Sequence, residues 1–484
     1  MARLTASDIN EGAGARRQAD ARGVPSEIMM PRVLLVVATI LLSLIGLVVG
    51  FSASSIEAIN LGNSVYSYVV KQAVLMVGGG LLAFLIARFL PYEKWLQGWC
   101  FPAAWLCIVA LLLAVYFMGT SALGATRWIY FMGFSLQPSE LAKIVFVIAA
   151  ARIVYAYRNE FRDFRQTALV AFALVVLPLG FLFVTQSDMG TAIIVVMGVF
   201  AVMWVGEVPL KVLGPLFVVV VGIGALSLAG YRADRIAVWL DPWSDPYGLG
   251  RQSIRSLYAL AEGGFFGVGI GNSREKFQYI SEAENDFIFA IVGEELGMLG
   301  ALAVVALFLV VLYAGLRIAH RAPDSFGAMM AGGLTVTLVV QAFLNIAVVT
   351  GLFPVTGKPL PFISSGGSSI LASMLMVGLI LSVSKGSNVL TPYERRRNDL
   401  NVIRVEHPAR ARASSATSDA DSPGSKRRGA GKAAGRSFVR DTAFSLPGFA
   451  GKRRERRAEE DAAARADRRE RAQRRARDSE RGKR

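Results

Sequence analysis

Asp286 is the residue of this sequence with the clearest capacity for chemistry. It stands where a long polar stretch, 281–285, gives way to an apolar segment that begins at Phe287. A carboxylate is costly inside lipid, so one at the edge of an apolar segment indicates a functional site at the membrane surface. Asp is also a favoured helix N-cap, and capping is the simpler interpretation of the position alone. The remaining polar residues must decide between the two.

The first of three other polar segments is 124–143. Pro138 and Ser139 form a helix start, which places Glu140 and Lys143 one turn apart on one helix face. Opposite charges just inside a membrane helix are expected to pair and to face a water-filled cavity. The alternative is a buried pair that only fixes helix packing.

The second and third polar segments are 186–191 and 354–369. In the second, Asp188 is either a helix cap or part of the same site. The third contains three prolines, several Ser and Gly residues, and the polar side chains Lys358 and Ser368. It is predicted to enter or line the membrane without spanning it, which is tolerated only where protein or a wet cavity covers the backbone.

The composition indicates a polytopic membrane protein. Hydrophobic residues make up 54% of the chain, and apolar runs of about 20 residues, enough to cross a bilayer, recur from Pro31 to Val383. This excludes a soluble protein with a single core. The two cysteines are too far apart on one predicted helix for a disulfide. The two histidines lie in a short loop and in the tail, which excludes a His-based metal site.

The predicted fold is all-α, with ten transmembrane helices and a long extracytoplasmic loop, 231–285, between helices 7 and 8. The ten spans are 32–53, 67–90, 99–118, 139–157, 167–185, 190–206, 210–230, 286–315, 327–350 and 366–386. An even number puts both termini on one side. Arg and Lys are concentrated before the first span, at the even-numbered junctions and after the last span, so the positive-inside rule predicts that both termini are cytoplasmic.

Three regions follow from this pattern. Residues 1–30 are predicted to form a disordered cytoplasmic N-terminus and 31–387 the membrane domain. Residues 388–484 form a basic cytoplasmic tail, mostly disordered, with a charged helix over 452–480. From residue 387 onward there are 27 Lys and Arg against 14 Asp and Glu, so the tail carries +13 of the net charge of +16.

The outer loop 231–285 is basic in spite of its predicted location. It includes Arg232 and Arg235. Cations held beside an outer membrane surface suit an anionic ligand. The alternative is that these arginines pair with the carboxylates of the same loop. Apolar residues at helical spacing over 254–261 predict an amphipathic helix on the membrane surface. Five glycines between 263 and 271 permit close backbone approach to a ligand or to another segment.

Taken together, these segments resemble the SEDS family of membrane proteins, which includes FtsW, RodA and SpoVE. The resemblance covers about residues 32–387. The matching segments are 124–129, 137–143, 188–191, 232–242, 252–297 and 354–369. Three residues depart from the usual pattern: Ser281 stands in place of Pro, Asn285 in place of Thr, and Ser365 in place of Tyr.

The resemblance implies a ten-helix membrane fold and a peptidoglycan glycosyltransferase. Such an enzyme joins lipid II units into glycan strands on the outer face of the cytoplasmic membrane, and the residue at the Asp286 position is its catalytic carboxylate. Forming a β-1,4 linkage from an α-linked pyrophosphate inverts the anomeric carbon. One base that takes the proton of the acceptor 4-hydroxyl therefore suffices, and polyprenyl diphosphate leaves.

The leaving pyrophosphate requires positive charge close to Asp286. Arg127, Lys143, Arg232 and Arg235 are the candidates, with Glu140 orienting Lys143 and a divalent cation, Mg²⁺ or Mn²⁺, as an alternative partner. The full set of predicted substrate-binding residues is Arg127, Glu140, Lys143, Asp188, Arg232, Arg235, Lys358 and Ser368.

The polar N-terminus and long tail favour the FtsW type, and so septal wall synthesis in cell division, over an elongation enzyme of the RodA type. A lipid II flippase and a scaffold without chemistry are the competing functions. The expected partners are lipid II, a class B penicillin-binding protein, membrane lipid, and other division proteins through the basic tail. Nucleic acid is not expected, because no aromatic residue follows Phe449 to stack on bases. The expected location is the cytoplasmic membrane at the division septum.

Overall fold

The computed structural model describes residues 26–60, 62, 64, 66–122, 125–131, 134–159, 164–186, 188–229, 233–277 and 284–386. The predicted N-terminal segment up to residue 25, the tail from residue 387 and Arg232 lie outside these residues. Helices dominate the described part of the chain. The prediction of a mainly helical membrane protein is therefore confirmed.

The helices follow the apolar segments of the sequence. They are α1 (Ser26–Asn60), α2 (Tyr66–Phe89), α3 (Glu93–Gln97), α4 (Cys100–Met118), α5 (Pro138–Asn159), α6 (Phe164–Ala171), α7 (Leu177–Gln186), α8 (Met189–Val205), α9 (Leu210–Ala229), α10 (Ala233–Leu240), α11 (Arg251–Gly263), α12 (Ile288–His320), α13 (Ser325–Val349) and α14 (Gly367–Lys385). A π-helical turn, Phe172–Val176, joins α6 to α7, so these two elements form one continuous rod.

A helix lies in each of the ten segments predicted to span the membrane. Seven helical stretches of the described chain are long and apolar enough to cross a bilayer by themselves, and α8 is shorter. The count of ten spans stays a prediction. The first helix begins at Ser26, so residues 26–30 are helical and do not belong to a disordered N-terminus as predicted.

A small antiparallel sheet departs from the all-α prediction. Its strands are β1 (Thr120–Ala122), β2 (Ala125–Phe131) and β3 (Phe134–Leu136), in the order β1-β2-β3. Ile129 pairs with Leu136, and β3 is followed directly by α5. The junction between α4 and α5 is thus an ordered structure that fixes where α5 begins.

The predicted eighth span is interrupted. Gly297, inside α12, has φ 67° and ψ −168°, which breaks the helix into a short part up to Leu296 and a long part from Met298. The long part alone extends for roughly 34 Å, enough to cross the hydrocarbon core. The short part, Ile288–Leu296, is packed inside protein along almost its whole length. Asp286 is therefore separated from the spanning helix by a buried helical segment, which a single span over 286–315 did not anticipate.

Helices α13 and α14 form the centre of the molecule. Most of their residues are buried, whereas α2, α4 and α7 expose many large apolar side chains, as helices facing lipid do. Helix α14 packs along α2, α13 along α8, and α12 along α1. The polar ends of α5, α8, α13 and α14 are brought together by this packing.

Candidate functional site

The Asp286 loop is anchored to the end of α13 and to the segment 354–369. The amide nitrogen Nδ2 of Asn345 donates to the Asp286 carbonyl at 2.6 Å and to the Lys358 carbonyl at 2.7 Å. The Asp286 side chain lies beside Gly357, where a Cβ atom would be 3.2 Å from the carboxylate oxygen Oδ2. Asp286 itself is partly exposed. The backbone of Asp286 is thus fixed by Asn345, while the residue as a whole stays partly exposed.

Two serines hold the residues immediately before Asp286. The Ser364 hydroxyl donates to the Asn285 carbonyl at 2.5 Å. Ser365 donates to the Glu284 carbonyl from both its backbone nitrogen and its hydroxyl, each at 3.1 Å, and its hydroxyl also donates to Asn285 Oδ1 at 2.7 Å. This turn is therefore fixed over three consecutive residues.

The structure contradicts the capping interpretation of Asp286. The N-cap of α12 is Phe287, and no side-chain hydrogen bond caps this helix start. The backbone of Ala290 donates instead to the Phe287 carbonyl at 2.9 Å. Asp286 lies in the turn before the cap and is not itself the N-cap.

Asp188 caps α8, and its carboxylate also contacts Lys358, whereas its predicted role in the substrate site stays a prediction. Its oxygens accept from the Thr191 backbone nitrogen at 3.0 Å, from the Thr191 hydroxyl at 2.8 Å and from the Ser139 hydroxyl at 3.1 Å. The Lys358 ammonium lies 2.7 Å from Asp188 Oδ2 and 2.6 Å from the Thr191 hydroxyl. Lys358 thereby ties the segment 354–369 to the start of α8.

Glu140 and Lys143 form an ion pair at 2.8 Å on the first turns of α5. Lys143 also donates to the Gln341 side-chain oxygen, and the Lys358 ammonium lies 3.6 Å from Glu140 Oε1. Two carboxylates, those of Glu140 and Asp188, thus face two ammonium groups, so the four charges balance. Such balance is what makes burying ions tolerable.

These four charged side chains are buried and contact protein atoms. Gln341 completes the packing by donating to the Pro359 carbonyl at 3.0 Å. The Glu140–Lys143 pair was expected to face a water-filled cavity, but in this structure it contacts Gln341 and Lys358. The arrangement holds three chain segments together, whereas contact of these four charges with a substrate stays a prediction.

Ser368 and Arg127 connect the sheet to the same site. The Ser368 hydroxyl accepts from the Gln137 backbone nitrogen at 2.9 Å and donates to the Ser135 carbonyl at 3.1 Å. Arg127 donates from Nε to the Gln186 carbonyl at 2.9 Å. The structure therefore brings the three polar segments and Asp286 to one end of the helix bundle.

The two remaining predicted cations belong to the outer loop. Arg235 lies exposed on α10, and none of the hydrogen bonds or ion pairs described for the chain joins it to the Asp188–Lys358 pair. Arg232 lies outside the described residues. In the same loop, burial raises the pKa of the Glu275 carboxyl above its usual range, while Arg255, 3.4 Å away, acts in the opposite direction.

Sequence reasoning did not select the two amides Asn345 and Gln341 as site residues. Both are buried on α13, one turn apart, and both bond to carbonyls of the segment 354–369. The available signal was an amide inside an apolar membrane helix, where a polar side chain usually bonds to a neighbouring segment. Ser364 and Ser365 were not predicted as site residues either, because their hydrogen bonds to the Asp286 turn depend on tertiary contacts.

Among the described residues, Asp286 is the candidate base. No group of three or more His, Cys, Asp or Glu side chains among them is placed to hold a metal ion. Asp286 is the partly exposed carboxylate beside a charge-balanced network. This geometry suits proton abstraction by one carboxylate and gives no support for a metal held by protein groups alone.

Comparison with known proteins identifies the family. Residues 32–389 match the FtsW/RodA/SpoVE family, which is described as "Cell cycle protein". The chain belongs to this family. The resemblance to the SEDS family that the sequence motifs indicated is therefore confirmed.

Two curated SEDS relatives cover most of the chain. Stage V sporulation protein E of Bacillus subtilis is 36% identical over 362 residues, which is 74% of this chain and 98% of that protein. A probable peptidoglycan glycosyltransferase FtsW of Mycobacterium tuberculosis is 37% identical over 355 residues, 73% of this chain and 67% of that protein.

Two solved SEDS structures share the fold. RodA of Thermus thermophilus is 26% identical with a TM-score of 0.53, covering 73% of this chain and 97% of that one. A chain from a peptidoglycan synthase complex that coordinates polymerization and crosslinking is 27% identical with a TM-score of 0.56, covering 72% of this chain and 96% of that one.

Proposed function

We propose that this protein is a peptidoglycan glycosyltransferase that polymerises lipid II. The observation that carries the proposal is the Asp286 turn, which Asn345, Ser364 and Ser365 hold at the polar end of the bundle with the carboxylate partly exposed. Family membership supports it, because several relatives are named probable peptidoglycan glycosyltransferases. A residue that only capped a helix would not need this fixation.

Asp286 acts as the general base in a single displacement. Its carboxylate takes the proton of the acceptor 4-hydroxyl while that oxygen attacks the anomeric carbon of the donor. The bond to the polyprenyl diphosphate breaks, and the anomeric configuration changes from α to β. A base fixed within hydrogen-bond reach of its substrate contributes on the order of 10²- to 10⁴-fold to the rate.

The predicted substrate-binding residues divide into two groups. Arg127 and the loop arginines Arg232 and Arg235 are proposed to stabilise the leaving pyrophosphate directly. Lys143 and Lys358 are proposed to act with Glu140 and Asp188, by holding the walls of the site in place, because all four are buried. A divalent cation, if used, would arrive with the pyrophosphate oxygens, since the described carboxylates do not cluster to hold one.

The proposed setting is septal wall synthesis with a class B penicillin-binding protein as partner. One structural relative comes from a complex that couples polymerization to crosslinking. Exposed apolar side chains on α2, α4 and α7 provide surfaces on which another membrane helix can pack. The termini are proposed to lie in the cytoplasm, with the Asp286 side of the molecule outward.

The test is polymerisation of lipid II by purified protein. We expect Asp286→Ala to abolish strand formation, to at most about one hundredth of the parent rate, while the protein stays folded in detergent. Glu262→Ala removes an exposed carboxylate from the same outer loop and should retain parent activity. Parent-like strand synthesis by Asp286→Ala would remove Asp286 from the mechanism, and transbilayer movement of lipid II without strand formation by the parent would favour a flippase.

A further inference from the structure

The outer-loop segment 264–269 forms backbone hydrogen bonds with α12 at the break in that helix. The Glu294 and Glu295 carbonyls, left without helical partners near Gly297, accept from Val268 at 2.9 Å and Gly269 at 3.1 Å. In the opposite direction, the Met298 backbone nitrogen donates to the Gly264 carbonyl at 2.9 Å. The outer-loop segment 264–269 is therefore paired to the helix on both sides of the break.

Glycine is required where these two backbones meet. A Cβ atom on Gly267 would lie 2.2 Å from the Glu295 carbonyl oxygen, and one on Gly297 would lie 2.3 Å from the Gly267 nitrogen. No side chain fits at such distances. The glycine-rich stretch of the outer loop thus serves close approach to another segment of the chain, one of the two uses that its composition predicts.

Beyond this segment, the Glu294 side chain holds the next part of the loop. Its Oε2 atom accepts from the Ser273 hydroxyl at 2.6 Å, and its Oε1 atom accepts from the backbone nitrogens of Arg274 at 2.5 Å and Glu275 at 3.4 Å. Glu294 is fully buried, and no ion pair with a basic side chain is described for it. Its carboxylate accepts only from donors of the loop in these bonds, and it therefore fixes residues 273–275 to the helix. We call this set of hydrogen bonds the latch.

The neighbouring Glu295 extends the same attachment to α1. Its carboxylate accepts from the Ser52 hydroxyl and lies 3.5 Å from the Lys276 ammonium, which also donates to Ser52 at 2.9 Å. Lys276 further donates to the Gly271 carbonyl at 2.5 Å. Residues 264–276 are consequently attached to the end of the short helix Ile288–Leu296 through both backbone and side chains.

The short helix joins this attachment to Asp286. It is about 13 Å long, it is buried between its neighbours, and Asp286 lies just before its first turn. One end is fixed by Asn345 at Asp286 and the other by the outer-loop segment at Glu294. Because a short, tightly packed helix moves as a unit, we expect a shift at its Glu294 end to reach its Asp286 end.

We infer that Glu294 is a positioning residue for Asp286, which it holds in place by latching residues 273–275 of the outer loop to the short helix. The inference rests on the proposed glycosyltransferase function. Because a shift of about 1 Å in a catalytic group can cost on the order of 100-fold in rate, loss of the latch should lower kcat more than it raises KM.

The test compares Glu294→Leu with Glu294→Gln in purified full-length protein acting on lipid II. Leucine leaves the Arg274 and Glu275 nitrogens without an acceptor, whereas glutamine keeps an oxygen for them and an amide group for Ser273. We expect Glu294→Leu to lower kcat at least about 10-fold, with KM within about threefold. Glu294→Gln should stay within about threefold of the parent. Glu262→Gln, the same chemical change at an exposed position of the loop, should behave as the parent does.

Hydrogen exchange measured by mass spectrometry provides a readout that does not depend on activity. In Glu294→Leu, amides of 273–276 and of 284–290 should exchange faster than in the parent, while those of α14 should not. If Glu294→Leu does not fold, Ser273→Ala, which removes the hydroxyl that bonds to Glu294 and to the Lys276 nitrogen, should give a smaller change of the same kind. Faster exchange with unchanged kcat in either variant would overturn the inference, as would unchanged exchange over 284–290.

The two proposals fail in different ways. A parent protein that makes no strands, yet whose exchange over 284–290 rises in Glu294→Leu, would refute the proposed function and leave the mechanical coupling supported. A parent that makes strands, with Asp286→Ala inactive and Glu294→Leu as active as the parent, would refute the positioning role alone.

Discussion

Lys358 connects the two halves of the buried charged network. Its ammonium lies 2.7 Å from Asp188 and 3.6 Å from Glu140, and each of these groups is almost wholly excluded from solvent. Removing one member of a buried ion pair leaves an uncompensated charge, which typically costs about 3 to 5 kcal/mol. Replacing both members of such a pair by neutral residues lowers the free energy of unfolding much less.

We therefore expect Lys358→Met to reduce the free energy of unfolding by about 3 to 5 kcal/mol. The double variant Lys358→Met with Asp188→Asn should be less destabilised than the sum of the two single variants. Unfolding followed in detergent micelles measures both effects. Lys385→Met serves as a control, because that lysine is exposed and donates to the Arg88 carbonyl at the surface. Additive single effects would show that Lys358 and Asp188 do not stabilise each other.

For single residues, type and spacing in the sequence predicted part of the buried charged network. Glu140 and Lys143 had to share a helix face, so their pairing followed from the sequence, and the helix-cap role of Asp188 was one of the two predicted for it. The contacts of Lys358 with Asp188, and of Asn345 with the Asp286 carbonyl, join residues far apart in the chain. No local pattern specifies such contacts, because they depend on how α8, α13 and the segment 354–369 pack.

Gly297 decides the geometry of the element that carries Asp286. Its combination of φ 67° and ψ −168° belongs to a region that residues other than glycine essentially do not adopt. The position is also closed sterically, since a Cβ atom would meet the backbone of the inserted loop segment. Two independent constraints therefore require glycine here.

We expect Gly297→Ala to reduce the free energy of unfolding by at least about 1 to 3 kcal/mol from backbone conformation alone, and to lower polymerisation activity strongly. Gly214→Ala is the matched control. This glycine lies in α9, and no atom lies within 4 Å of the position its Cβ would occupy, so alanine should be neutral or slightly stabilising. Unfolding and lipid II polymerisation of the two variants give the comparison. Equal stability of the two would contradict the assigned role of the break.

Among the elements, long apolar helices were predictable and their interruptions were not. The run from Phe287 to the end of α12 is apolar enough to be interpreted as one span, and Gly297 alone gives no signal of a break, because isolated glycines occur in membrane helices. The sheet between α4 and α5 was missed for a related reason. Its strands are only three to seven residues long, too short for an alternating pattern to stand out in the sequence.

The molecule as a whole separates two kinds of surface. Apolar side chains are exposed around the sides of the bundle, notably on α2 and α4, and the polar segments meet at one end. The hydropathy of the sequence predicted the apolar sides of the bundle. The alternation of the junctions along the chain predicted that the polar segments would share one side of the membrane. The identity of that side rests on the positive-inside rule alone, which concerns residues near the ends of the spans and not the basic loop between α9 and α12.

Labelling of introduced cysteines tests the orientation directly. In a background of Cys100→Ser and Cys107→Ser, Tyr247→Cys on the outer loop, where the parent side chain is 92% exposed, should react with a membrane-impermeant maleimide in intact spheroplasts. Lys94→Cys, at the even-numbered junction after α2, should react only after permeabilisation. The reverse pattern would place Asp286 in the cytoplasm, where a carboxylate base could not act on lipid II presented at the outer face. Orientation therefore decides whether the geometry around Asp286 can serve wall polymerisation at all.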